Sequence, residues 1–228
     1  TTKRPRGRSN VLWVESVTIK AVEAYGNAIA AQGLPLREAP TRNPVALGSV
    51  AAMAQQFGQA VAKLPVAEAA YQLGQLYTGL LPSDWRAEHG IYYTPPAVAA
   101  RLLDQAEAAG VNWAKARVLD PAAGAAAFLV PVAVRMLRAL GKCSPAIAVQ
   151  NLNARLRGYE RDGFAAWLGH VFIEAAAMPW LRTSGRRLGE IISVRDSLRD
   201  IEAATFDLVV GNPPFGRESL YFPYNTAI

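Results

Sequence analysis

The sequence predicts an α/β fold in which a parallel, doubly wound sheet follows an N-terminal helical region. From about residue 86, short apolar runs alternate with longer segments of helical apolar spacing. That alternation is typical of a parallel sheet with helices on its faces. Before residue 86 the pattern is helical throughout and rich in Ala. We therefore divide the chain into a helical region, residues 1–85, and an α/β region, residues 86–228.

Composition limits the classes of protein to which the chain can belong. It has 228 residues, of which 51% are hydrophobic, so there is ample material for a core. Its single cysteine, Cys143, excludes a disulfide framework, and no Cys/His cluster has zinc-site spacing. No apolar run reaches membrane-spanning length and no signal peptide opens the sequence. We therefore expect a cytoplasmic protein that does not associate with a membrane. The net charge of +6 permits a nucleic-acid partner.

The helical region should contain three helices, over residues 11–31, 43–63 and 66–80. The second helix is predicted to begin with Asn43 as its N-cap and Pro44 at its first position. The apolar periodicity of these helices indicates core packing. The sequence leaves open what this region does. The first eight residues carry four cations, which would be either a phosphate-contacting tail or a solubilising one.

The α/β region should contain four strands, over residues 117–119, 155–159, 191–194 and 206–210. Helices are predicted from Pro96 to near Gly110, from 125 to 140, and after the second strand to about residue 178. An acidic residue stands at the end of each of the first three strands: Asp120, Glu160 and Asp196. Each alone is more simply explained as a helix cap or turn residue. Together, at one edge of a parallel sheet, they suit a nucleoside, whose ribose hydroxyls would donate to the second acid.

The turn after the first strand, Asp120 to Phe128, indicates the kind of nucleoside. It reads DPAAGAAAF and lacks both the G-x-G-x-x-G pattern and a Walker lysine. Pyrophosphate cofactors and ATP are therefore poor candidates. A Gly with small neighbours allows close approach of a ligand without phosphate, such as S-adenosylmethionine.

The fourth strand leads into Asn212-Pro213-Pro214-Phe215. Two consecutive prolines cannot extend a central strand because neither has an N–H to donate. Asn212 should therefore lie on a stiff loop at the carboxyl edge of the sheet, where ligands bind in open α/β folds. A simple Asn-Pro turn would have the same local sequence.

These motifs, taken together, resemble those of the adenine-N6-specific DNA methyltransferases of type I and type IIG restriction–modification systems. The matching elements are Gly90-Ile91-Tyr92-Tyr93-Thr94-Pro95, Asp120 to Phe128, Gly158-Tyr159-Glu160, Asp196-Ser197-Leu198 and Asn212 to Phe215. Their order and spacing agree over about residues 81–216. The resemblance implies a Rossmann-like methyltransferase sheet, S-adenosylmethionine as cofactor, double-stranded DNA as substrate and no metal.

The resemblance also implies roles for individual residues. Those expected to bind the cofactor are Tyr93, Thr94, Pro95, Asp120, Ala122, Gly124, Phe128, Glu160, Asp196 and Ser197. Glu160 would hold the ribose and Asp196 the adenine amino group of the cofactor. The expected catalytic residues are Asn212, Pro213, Pro214 and Phe215. The Asn212 amide oxygen and the Pro213 carbonyl would accept the amino hydrogens of a flipped-out adenine, on which Phe215 would stack.

Two departures from the family pattern lead to further expectations. Ala126 stands where a second Gly is usual, so a methyl group would crowd the cofactor if the position needs a positive φ. The family sheet has seven strands, and only four are recognisable here. We therefore expect a fragment that lacks the later strands and any target-recognition domain, supplied by further sequence or by other subunits.

Two alternative functions fit parts of the pattern. Asn-Pro-Pro-Phe also occurs in enzymes that methylate a protein glutamine or an RNA guanine, although the Tyr-Tyr-Thr-Pro element favours the DNA enzymes. A non-catalytic DNA-binding or assembly module could keep the same fold. Ala126 and the early end favour that module, and the intact Asn212 loop disfavours it.

Overall fold

The computed structural model describes residues 8–29, 35–40, 45–83, 86, 93–199 and 205–213. The described helices are α1 (Arg8–Ile29), α2 (Val50–Val61), α3 (Val66–Leu80), α4 (Pro96–Ala108), α5 (Leu129–Ala139), α6 (Pro145–Arg155) and α7 (Gly163–Ser184). The described strands are β1 (Val118–Asp120), β2 (Leu156–Glu160), β3 (Ile192–Val194) and β4 (Leu208–Val209). The predicted α/β class and all four predicted strands are confirmed.

The sheet has the strand order β3-β2-β1-β4 and is parallel throughout. Val118 pairs with Leu156 on one side and with Leu208 on the other, so β1 is a central strand. The chain runs outward from β1 through β2 to β3 and then returns to the opposite side of β1. Strand order therefore reverses between β1 and β4. The carboxyl ends of strands at such a reversal form the crevice in which open α/β sheets bind ligands.

Helix α7 is the centre of the core. Leu168, Val171, Phe172 and Ile173 have no exposed surface, and α7 packs on α5, α6 and the sheet. By length and composition α7 could cross a membrane, which corrects the expectation that no run reaches that length. However, 78% of its apolar window is buried inside the fold, as in the core helix of a globular protein.

The helical region packs on the same core as the sheet. The Tyr25 ring of α1 meets Phe172 of α7 edge-on, with ring centroids 6.3 Å apart. The segment 35–40 is attached to α7 by Arg37, whose backbone N–H and Nε donate to the buried carboxylate of Glu174 at 3.0 and 3.3 Å. Apolar residues of α1, α2 and α3 join those of the α/β region in one hydrophobic cluster.

Several predicted helix boundaries were wrong. Helix α2 begins at Val50 rather than Asn43, since a turn with Gly48 at φ 54° precedes it. Helix α5 begins at Leu129 rather than residue 125, because the preceding residues form an irregular turn. Helix α7 continues through Pro179 to Ser184, beyond the predicted end near residue 178. Helix α6 was missed, although Ser144 caps it and Pro145 starts it.

Candidate active site at the carboxyl edge of the sheet

The candidate site lies at the carboxyl ends of β1, β2 and β4. Asp120 is the last residue of β1, Glu160 is the last residue of β2, and Gly211 and Asn212 follow β4. The parallel register brings the ends of these strands to the same edge of the sheet. The strand register thus agrees with the sequence prediction that these residues lie at one edge of the sheet.

Glu160 connects β2 to the turn that follows β1. Its Oε2 accepts a hydrogen bond from the Gly124 N–H at 2.8 Å, and its Oε1 accepts from the Asp162 N–H at 2.8 Å. Burial raises the pKa of the Glu160 carboxyl, and the backbone donors act in the opposite direction. The backbone N–H groups of Gly124 and Asp162 therefore orient the carboxylate.

Asp162 is a residue of this site that the sequence reasoning missed. Its side-chain Oδ1 accepts from the Phe164 N–H at 2.9 Å and caps the start of α7. An Asp directly before a long apolar helix is a recognisable N-cap signal. No sequence signal indicates that its backbone also orients Glu160.

Asp120 is buried with one oxygen unpaired. The residue is 1% exposed, and its Oδ1 accepts from the Ala122 N–H at 3.0 Å. Among the described residues, Oδ2 has no hydrogen-bond partner. Burial raises the pKa of this carboxyl to about 7. A Cβ on Gly211 would lie only 2.7 Å from Oδ1, so glycine is needed where the loop after β4 passes Asp120.

The turn between β1 and α5 contains two residues with left-handed backbone. Gly124 has φ 52° and Ala126 has φ 66°. The positive φ at Ala126 is the condition under which we expected its methyl group to matter, and this conformation costs a non-glycine residue about 1–2 kcal/mol. The Ala126 side chain is fully buried. A Cβ added at Gly169 of α7 would lie 3.3 Å from the Ala126 Cβ. The methyl group thus packs towards α7.

Asn212 lies beside the Tyr93-Thr94-Pro95 segment. Its Nδ2 donates to the Thr94 hydroxyl at 3.3 Å, a contact that does not use the amide oxygen. Thr94 is buried, whereas Asn212 and Pro213 are exposed. The structure thus joins Thr94, predicted to bind the cofactor, to the predicted catalytic loop.

Tyr93 lies against the β1–α5 turn. A Cβ on Gly124 would be 3.6 Å from the Tyr93 ring. The Tyr93 hydroxyl is buried and has no hydrogen-bond partner among the described residues. Burial raises its pKa, and the nearby carboxylates of Asp162 and Glu160 add to the effect.

The remaining predicted residues lie at varying distances from this centre. Asp196 follows β3, and its Oδ2 lies 3.9 Å from Arg161 Nε and 3.5 Å from Arg199 Nε, in two exposed ion pairs. Ser197 and Ala122 are half-buried, Pro95 is exposed before α4, and Phe128 is buried immediately before α5. Pro214 and Phe215 lie outside the described residues. Within the described ranges, no group of His, Cys, Asp and Glu could hold a metal ion.

Comparisons with known proteins identify a family. The model of the family described as N-6 DNA Methylase matches residues 69–226. One solved structure, a modification subunit of a putative type I restriction enzyme from Vibrio vulnificus YJ016, is 22% identical with a TM-score of 0.46. That alignment covers 76% of this chain, which spans about a third (34%) of the length of the subunit. The comparison with curated proteins gives no match.

Proposed function

Because the chain belongs to the N-6 DNA methylase family, we propose that it transfers a methyl group from S-adenosylmethionine to the N6 nitrogen of adenine in double-stranded DNA. This is the chemistry of a cytoplasmic restriction–modification or phage-defence system. The full enzyme would include further sequence or subunits that select the DNA site. The observation that carries the proposal is the position of Asn212, which lies beside Thr94 and directly follows the glycine packed on Asp120.

The residues around Asp120 suit the amino-acid part of S-adenosylmethionine. Asp120 Oδ2 and the Tyr93 hydroxyl are buried without partners among the described residues. Buried polar atoms normally have partners, so two such atoms beside one turn favour a polar ligand there. The ammonium group of the cofactor would satisfy the Asp120 carboxylate. Among the described residues, only the Tyr93 ring lies within 4 Å of where a Gly124 Cβ would be, so this glycine would leave room for the ligand.

Glu160 suits the ribose of the same ligand. Its carboxylate is oriented by the Gly124 and Asp162 N–H groups before any ligand binds. A carboxylate has about four acceptor sites, so the ribose hydroxyls could donate to those that the backbone does not use. Asp196 at the end of β3 would receive the cofactor's adenine amino group in exchange for its exposed ion pairs.

The bound cofactor would supply an electrophilic methyl group on a sulfonium. The chain's part is to prepare the nitrogen that attacks it. The amino group of adenine is planar because its lone pair is delocalised into the ring. The Asn212 amide oxygen and the Pro213 carbonyl would accept its two hydrogens and draw the nitrogen towards tetrahedral geometry, which frees the lone pair. The nitrogen would gain the methyl group as the sulfonium–methyl bond breaks and leaves a neutral thioether, and it would release one proton to solvent.

Thr94 has a clear part in this arrangement. By accepting from Asn212 Nδ2, it leaves the amide oxygen as the acceptor for adenine. Adenine would reach this loop only after leaving the duplex, with Phe215 stacking on it. Positioning of the two reacting atoms would contribute most of the rate enhancement.

Methylation of duplex DNA tests the proposal directly. The chain, together with any partner subunits, is incubated with S-adenosylmethionine and DNA, and the DNA is digested to nucleosides for mass spectrometry. We expect N6-methyladenine. Asn212→Ala should abolish it and leave cofactor affinity nearly unchanged, because Asn212 is assigned to the target amino group. Asn27→Ala, which removes an exposed asparagine of α1, is the matched control. Near-normal methylation by Asn212→Ala would remove the mechanism.

A further inference from the structure

Helix α3 belongs to the helical region, yet it contacts the candidate site at two points. Gly74 and Tyr77 lie three residues apart and therefore share one face of the helix. Both are buried, and Tyr77 is 1% exposed. Neither residue belongs to the motifs that suggested the proposed function.

Tyr77 ends a chain of hydrogen bonds that begins at the β1–α5 turn. The Tyr77 hydroxyl donates to Asp162 Oδ2 at 2.8 Å. The Asp162 N–H donates to Glu160 Oε1, and Glu160 Oε2 accepts from the Gly124 N–H, each at 2.8 Å. Tyr77 contacts the Asp162 side chain and Glu160 contacts the Asp162 backbone, so Asp162 joins the two. The geometry links α3 to the carboxylate proposed to hold the ribose.

Both carboxylate oxygens of Asp162 are already hydrogen-bonded, so neither can replace the hydrogen bond from Tyr77. Its Oδ1 accepts from the Phe164 N–H at 2.9 Å, which leaves Oδ2 for Tyr77. The Tyr77 ring also packs on Phe164, with ring centroids 4.7 Å apart. Removal of the hydroxyl alone would keep this ring contact and leave Oδ2 unpaired, so Asp162 and the Glu160 carboxylate would lose part of their restraint.

Gly74 leaves the space that the Tyr93 ring occupies. A Cβ on Gly74 would lie 3.2 to 3.3 Å from three atoms of that ring, tighter than ordinary van der Waals contact. The ring also lies 3.6 Å from where a Cβ on Gly124 would be. A side chain at position 74 would therefore push Tyr93 towards the turn.

We propose that α3 positions the cofactor site, with Tyr77 holding Glu160 through Asp162 and Gly74 setting the position of the Tyr93 ring. The inference rests on the proposed function, because it assigns Glu160 and Tyr93 to S-adenosylmethionine. Tyr77 and Gly74 are positioning residues and do not touch the ligand. The helical region would then form one wall of the site.

Tyr77→Phe tests the first contact, and Tyr25→Phe is its matched control. Both variants remove one hydroxyl from a buried tyrosine of the helical region, but Tyr25 packs on Phe172 away from Glu160. We expect Tyr77→Phe to raise the dissociation constant for S-adenosylmethionine by about 5-fold, since a hydrogen bond to a charged group is lost. Hydrogen exchange at Gly124 in the free protein should also accelerate, and Tyr25→Phe should change neither.

Gly74→Ala tests the second contact, and Gly79→Ala on the same helix is its control. Alanine favours a helix at both positions. At Gly79 the new methyl group would meet no atom of the described residues within 4 Å. Gly79→Ala should therefore bind the cofactor as the parent does, whereas Gly74→Ala should bind it at least about 5-fold more weakly because the Tyr93 ring is displaced.

The outcomes separate this inference from the proposed function. If the parent chain binds no cofactor, the proposed function fails, but exchange at Gly124 still tests the Tyr77 contact. Unchanged exchange and unchanged affinity in Tyr77→Phe, relative to Tyr25→Phe, would overturn its positioning role. Equal affinities of Gly74→Ala and Gly79→Ala would overturn that of Gly74.

Discussion

Asp120→Asn should make the stability of the protein less sensitive to pH. The carboxyl is 1% exposed, and burial raises its pKa from 3.8 to about 7. In the unfolded chain the group ionises near its ordinary value. Between these two pKa values the folded state binds more protons than the unfolded state. The contribution of Asp120 to the unfolding free energy is therefore greatest below about pH 4. It falls as pH rises to about 7 and stays low above that pH.

The magnitude follows from the two pKa values. A difference of about 3, at about 1.4 kcal/mol for each pKa unit, is worth about 4 kcal/mol of unfolding free energy. Asparagine keeps an oxygen that can accept from the Ala122 N–H at 3.0 Å, as Asp120 Oδ1 does. The NH2 of the asparagine amide would also be buried, but this cost does not change with pH. The pH dependence of the difference between the two proteins therefore isolates ionisation of Asp120.

Urea denaturation from about pH 5 to about pH 8.5 measures this difference. We expect the unfolding free energy of Asp120→Asn to rise relative to the parent by about 2–3 kcal/mol over that range. Asp104→Asn, at a 69% exposed side chain on α4, is the surface control against which this rise is compared. A difference between Asp120→Asn and the parent that stays flat with pH would refute the reasoning.

The same ionisation predicts how the cofactor should bind. The ammonium group of S-adenosylmethionine favours the charged form of Asp120 and so lowers its pKa on binding. Below about pH 7 binding should release a proton, and affinity should rise with pH until that point. Calorimetry at about pH 6 in two buffers of different ionisation enthalpy would count the protons released. Binding without proton release would separate Asp120 from the ammonium group.

Two further predictions concern Ala126 and His170. In calorimetry, Ala126→Gly should bind the cofactor at least as well as the parent, and clearly weaker binding would show that the Ala126 methyl group does not hinder the cofactor. Its unfolding free energy should stay within about 1 kcal/mol of the parent's. Relief of the positive φ stabilises the variant, whereas loss of a buried methyl group and a more flexible unfolded chain destabilise it. His170 is buried with its pKa lowered to about 4, so stability from its neutral form should be lost as pH falls from about 6.5 to about 4, by about 3 kcal/mol in urea denaturation. His170→Gln should lack this loss, and an unchanged pH profile would contradict the assignment.

Local sequence patterns were sufficient to predict the sheet and the order of its elements. The four strands are short apolar runs ended by Asp, Glu or Gly, and each was found within about three residues of its predicted bounds. Helix α6 was missed although its Ser144 cap and Pro145 start are visible in the sequence. Helix α7 was predicted too short because Pro179 normally ends a helix, whereas here it lies inside a helix held by tertiary packing.

The arrangement of the candidate site was predictable where residues are neighbours in a motif and not where they meet across the fold. Asp120 and Glu160 end strands and Asn212 follows one, so the parallel topology alone brings them to one edge. The contact of Tyr77 with Asp162 joins residues 85 positions apart, and nothing in either local sequence indicates it. The burial that raises the pKa of Asp120 depends in the same way on the packing of distant segments.

Isothermal titration calorimetry of S-adenosylmethionine binding to the chain tests the central claim most directly. We predict saturable binding of one cofactor per chain. Glu160→Ala should weaken it by about 1.5–3 kcal/mol for each hydrogen bond lost to the ribose. Glu107→Ala, at an exposed carboxylate on α4, should bind as the parent does. No heat at millimolar cofactor, or equal affinity of Glu160→Ala and the parent, would contradict a cofactor site at the carboxyl ends of β1 and β2.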